Sequence, residues 1–161
     1  MYDYERAAMA QGHRHVAGCD EVGRGPLAGP LVAAAVVLDP QRPIEGLNDS
    51  KKLSERKRNA LAKRIKTEAV SYAVEYIAPE EVDALNVYKA SQVAMTRAVQ
   101  KLDFCDCVLS DALPLPMLAL PVESIVKGDA KSASIAAASI LAKVERDAYM
   151  VKLSHTYPGY G

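Results

Sequence analysis

Apolar and β-branched residues gather in five short runs, at 16–21, 31–38, 70–77, 105–110 and 123–126, each of strand length. The first two runs are almost continuously apolar, the pattern of strands covered by helices on both faces, and the turn-rich GRGPLAGP segment joins them. After the second run, Ser54 stands at an N-cap position and a helix is predicted to about residue 68, with Leu61 and Ile65 as a narrow apolar stripe under many charges. A short acidic helix is predicted over 80–85. A longer one follows over 87–102, with Val93, Ala94 and Val99 at helical spacing. The proline-rich DALPLPMLALP stretch is an irregular connection, and helical periodicity returns from about 132 to 156. The first turns of that last helix, SASIAAASILAK, are crowded with alanine and serine, which permit close approach to a sheet. The order of elements predicts an α/β fold: a mixed sheet of about five strands with helices on both faces.

With 161 residues, half of them apolar, the chain has the size of one domain with its own core. Twenty basic and twenty acidic residues cancel, so any attraction to nucleic acid must come from local clustering. Eight of the basic residues stand between 51 and 66 (Lys51, Lys52, Arg56, Lys57, Arg58, Lys63, Arg64 and Lys66), with Glu55 the only acid before 68. Such a run fits a phosphate-backbone footprint and, taken alone, fits a solvated helix face as well. The polar N-terminus is unlike a signal peptide, and the longest apolar run, 27–38, is too short to span a bilayer. A cytoplasmic protein without membrane contact is expected, and a monomer. Cys19, Cys105 and Cys107 are read as reduced thiols, the C-x-C pair sharing one buried strand face.

Asp20 and Glu21 end the first predicted strand, Asp111 follows the fourth, and Asp129 lies between the fifth and the last helix. Singly, each is an ordinary solvated acid. Gathered at one sheet edge they would repel one another strongly unless divalent cations neutralised them, and Mg2+ or Mn2+ suits oxygen ligands. Because adjacent strand residues face opposite ways, Asp20 and Glu21 would share one site only where the strand twists or bulges. The segment holding Gly23, Arg24 and Gly25 is no dinucleotide fingerprint, since a strand rather than a helix follows it. It reads instead as a loop whose backbone nears a ligand while Arg24 supplies charge. On the last helix Ser139 and Lys143 either face the carboxylates or a phosphate, or Ser139 is packing and Lys143 pairs with Asp147.

The segments GCDEVGRGPLAGPLVAAAVVL, GLNDSKKLS, SDA and VKGDAKSASIAAASILAKVERD, in this order, resemble the bacterial ribonuclease HII family. The resemblance implies a ribonuclease H-like fold and a two-metal hydrolysis of RNA in RNA/DNA hybrids and of ribonucleotides embedded in duplex DNA, leaving 5′-phosphate and 3′-hydroxyl ends. It implies Asp20, Glu21, Asp111 and Asp129 as the catalytic carboxylates and metal ligands, and Gly23, Arg24 and Gly25 as the motif beside the ribonucleotide 2′-hydroxyl. Ser50, Lys51, Lys52, Ser139 and Lys143 are the further candidates for substrate contact. Family members continue past a YPGYG-like segment into an HKGY-type motif and a helical region, whereas this sequence ends at Gly161. A single domain over 1–161 without that extension is therefore expected, and the family's stacking tyrosine is assigned to neither Tyr157 nor Tyr160. Two other readings stand beside this one: a ribonuclease H-like nuclease of different specificity, and an inactive nucleic-acid-binding fragment.

Overall fold

In the computed structural model, residues 1–23 and 29–156 are described; Arg24, Gly25, Tyr157 and Tyr160 lie outside the described residues. Five strands, β1 (Val16–Val22), β2 (Leu31–Val37), β3 (Ser71–Ile77), β4 (Cys107–Asp111) and β5 (Val122–Ile125), form one sheet in the order β3-β2-β1-β4-β5. The first three make an antiparallel meander. β4 then runs parallel to β1, and β5 parallel to β4. The helices are α1 (Asp3–Ala10), α2 (Glu55–Glu68), α3 (Pro79–Leu85), α4 (Val87–Gln100) and α5 (Ala133–Thr156). Among the described residues no helix is long and apolar enough to cross a membrane.

Alternation along the buried strand β2 divides the core. Val32, Ala34 and Val36 pack with Ala62 and Ile65 of α2 and with α5, while Leu31, Ala33 and Ala35 pack with α4 on the other face. Fully buried side chains such as Ile65, Ile140 and Leu141 contribute about 1.5–3 kcal/mol each. α5 approaches β1 very closely: a Cβ on Gly18 would stand 2.1 Å from the carbonyl carbon of Ser134. Only glycine permits that approach, and the alanines at 133 and 136–138 let the helix lie flat.

The five strand runs are found where the hydrophobic pattern put them, and Ser54 caps α2 by accepting from the backbone N–H of Lys57. α1 was not expected, because its short, weakly apolar sequence has little helical signal of its own. Tertiary contacts hold it instead. Buried Glu5 accepts hydrogen bonds through Oε2 from the Ser132 hydroxyl (2.6 Å) and the Ser134 backbone N–H (2.8 Å), which caps the start of α5 from the other end of the chain. The 105–110 run becomes strand only at Cys107, because Asp106 turns its carboxylate back to the N–H groups of Arg14 and His15. Cys105 therefore precedes the strand and is only half-buried, and the expected shared buried face for Cys105 and Cys107 does not form. All three thiols are free, and burial pushes that of Cys105 up to about 11.

Candidate functional site

The parallel register of β1 with β4 pairs Cys19 with Ser110, and one further step sets Asp20 alongside Asp111. Both face α5, as alternation from Gly18 and from Leu109, which packs with Ile135, requires. Asp129 reaches the same edge from a 3-10 turn, Gly128–Ala130, that links β5 to α5. Its backbone is tightly shaped. Ala112 (φ 65°) and Lys127 (φ 55°) are held in the left-handed region, at about 1–2 kcal/mol each, beside Asp111 and just ahead of Asp129. A Cβ on Gly128 would meet Ile135 Cδ1 at 2.6 Å and Asp111 Oδ1 at 3.3 Å, so a side chain there would press into the site. The outcome is one carboxylate oxygen each from Asp20, Asp111 and Asp129, all within 4.8 Å of one another.

Electrostatics mark this cluster as short of positive charge. Burial, and then the neighbouring charges of Glu21 and Asp111, push the carboxyl of Asp20 well above the usual range. For Asp129, burial and the charges of Asp111 and Asp49 raise it to about 6. The two lysines on the cavity wall are each paired with a neighbouring acid: Lys143 Nζ lies 3.0 Å from Asp147 and Lys51 Nζ 3.8 Å from Asp49. Three hard carboxylate oxygens brought within 4.8 Å, whose charges repel one another, fit a divalent metal ion, so the residues present suit the expected group.

Glu21 takes a different place. The β1–β2 register runs unbroken to Val22↔Val32, so the bulge that would bring adjacent residues to one face is absent from the paired residues. Asp20 alone of the pair joins the oxygen cluster, while Glu21 lines the wall of the same cavity of about 410 Å³. Gly23 also lines it, with a φ of 96° and with Arg146 and the Pro30 carbonyl packed where a Cβ would stand. That packing is tied down by Arg146 Nε, which donates to Pro30 O at 2.9 Å.

The other candidates divide. Ser50 and Ser139 meet in a buried 2.9 Å hydroxyl contact at the cavity, and Lys51 and Lys143 line it. Lys143 lines the cavity and also pairs with Asp147. Lys52 is exposed and is not among the lining residues. One residue escaped the sequence reading. Asp49 is buried, caps the 3-10 turn Ser50–Lys52 by accepting from Lys51 N at 3.0 Å, and stands near enough to Asp129 for its charge to help raise that carboxyl. Its signal was the Asn-Asp-Ser run before two lysines, a local capping pattern that gives no hint of the distant Asp129.

Comparison with known proteins bears on this geometry. The family model described as ribonuclease HII matches residues 17–161. Ribonuclease HII of Dechloromonas aromatica is 58% identical over 147 residues, which is 91% of this chain and 75% of that protein. Ribonuclease HII of Bacillus cytotoxicus is 51% identical over 162 residues, covering 100% of this chain and 62% of its own length. Among solved structures, the ribonuclease H2 of Pyrococcus horikoshii superposes with a TM-score of 0.79 at 30% identity, over 92% of this chain and 79% of that one.

Proposed function

The chain belongs to the ribonuclease HII family, and from that premise we propose that it cuts RNA in RNA/DNA hybrids, and single ribonucleotides in duplex DNA, at the Asp20, Asp111 and Asp129 cluster. The observation that carries this reading is the convergence of those three carboxylate oxygens within 4.8 Å at one sheet edge. In this reading the three aspartates bind Mg2+ or Mn2+, two ions when substrate is present, with Glu21 on the adjoining wall completing the acidic set. When bound, the ions supply Lewis-acid stabilisation of the attacking and leaving oxygens in an in-line displacement at phosphorus.

The protein's own groups then have separable tasks. The Glu21 N–H donates to Asp20 Oδ1 at 2.8 Å and the Asp129 N–H to Asp111 Oδ1 at 3.3 Å, which fixes how the two carboxylates present their remaining oxygens. Lys51 and Lys143 place positive charge on the cavity wall where a phosphodiester would lie, and the Ser50–Ser139 contact keeps the turn that carries Lys51 against α5. Recognition of the ribonucleotide is assigned to Gly23, Arg24 and Gly25. Cleavage of a DNA duplex containing one ribonucleotide, in Mg2+ and in Mn2+, tests the reading. Asp111→Asn is expected to lower kcat by at least about 100-fold while the circular dichroism spectrum is kept; undiminished cutting by that variant would reject the cluster as the catalytic centre.

A further inference from the structure

Lys51, at the cavity, pairs with Asp49 at 3.8 Å, and the structure sorts the other seven basic residues of the run into two groups. Three are spent on holding the fold: Arg58 donates to the carbonyls of Ser50 (3.2 Å) and Leu53 (2.6 Å), Arg64 pairs with Glu68 at 2.8 Å, and Lys66 pairs with Glu145. Lys52, Arg56, Lys57 and Lys63 are exposed and have no ion-pair partner among the described residues. At 100° per residue Arg56 and Lys63 fall on the same side of α2, opposite buried Ile65, with only Asn59 and Ala60 between them. These residues and Glu55 line an open depression of about 600 Å³. Two cations therefore flank a shallow seat made of short side chains.

We infer that this outer face of α2 is a track for the phosphate backbone of the duplex arm beside the cut, leading from Lys51 in the cavity through Lys52 and Arg56 to Lys63. The inference rests on the proposed nuclease reading and extends it. Along α2 the seven rises from Arg56 to Lys63, at about 1.5 Å each, set the two cations about 10 Å apart, some three nucleotide steps of 3.4 Å. Charge complementarity selects the occupant. The molecule as a whole is neutral, so the exposed Lys52, Arg56, Lys57 and Lys63 are a local excess that a polyanion of regular spacing would neutralise. Glu55, the one acid on the seat, lies at its edge nearest the cavity end of the helix.

The test compares the full chain with the Arg56→Ala/Lys63→Ala double variant on duplexes that carry one ribonucleotide and are shortened stepwise on either side of it. On long duplexes the variant should show a several-fold higher KM at unchanged kcat, and the slope of log KM against log salt should be shallower by about two. On duplexes whose arm on one side is too short to reach from the cut to α2, variant and wild type should coincide. An Arg56→Lys/Lys63→Arg variant should behave as wild type on all of them. No change on long duplexes, or an equal change on every length, would overturn the track. Failure of the wild-type chain to cut any of these substrates would instead reject the nuclease reading.

Discussion

At Asp20 the fold buries a carboxylate against two others, and the first consequence concerns protons. Without a divalent ion, Asp129 at about 6 and the likewise raised Asp20 keep protons that an unfolded chain would release near pH 4. Between about pH 4 and 6 the folded state thus binds more protons than the unfolded one, and the cluster's contribution to stability declines as pH rises. Metal binding displaces those protons, so Mn2+ affinity should strengthen as pH climbs through the same window. Isothermal titrations across it should show protons released on binding, and pH-independent affinity would contradict the assignment. Asp111→Asn removes one of the mutually repelling charges. In chelator that variant should melt higher than wild type by about 2–4 °C, the shift expected for about 1 kcal/mol of relieved repulsion; an equal or lower midpoint would mean the cluster is not strained.

Between elements, the α5–β1 contact is the joint on which the site depends. Gly18→Ala would drive a methyl into the Ser134 backbone, at 2.1 Å, and should cost about 3 kcal/mol or more, read as a lower denaturation midpoint. Glu5→Ala leaves the Ser132 hydroxyl and the Ser134 N–H without their acceptor, an expected loss of about 1–3 kcal/mol by the same measurement. The contrast between these residues explains what could be read from sequence. The strands and α2 announce themselves by local periodicity and by Ser54, because those signals lie within a few residues of the structure they specify. α1, the capping of α5 by Glu5 and the contact of Asp49 with Asp129 join residues about 80 or more positions apart, and no local pattern encodes them. Strand alternation left the place of Glu21 open, to be decided by a bulge the sequence does not reveal, and the mutual closeness of the three aspartates needed the β1–β4 register.

For the whole molecule, an ion that binds only the folded state should raise stability by about 2.7 kcal/mol at a concentration 100 times its Kd, or about 5–10 °C in melting temperature. A differential melt with and without Mn2+ measures this, and the gain should be largely lost in Asp111→Asn. The topology of the sheet adds a temporal dimension. β1 pairs with β4 only after some ninety intervening residues, and Asp129 comes later still. A ribosome extending this chain therefore exposes Asp20 long before its companions exist. Up to that moment the growing polypeptide has β1 without its parallel neighbour and one acid of three, so capacity for the ion is gained abruptly, when β4, β5 and the turn that carries Asp129 close onto the first three strands.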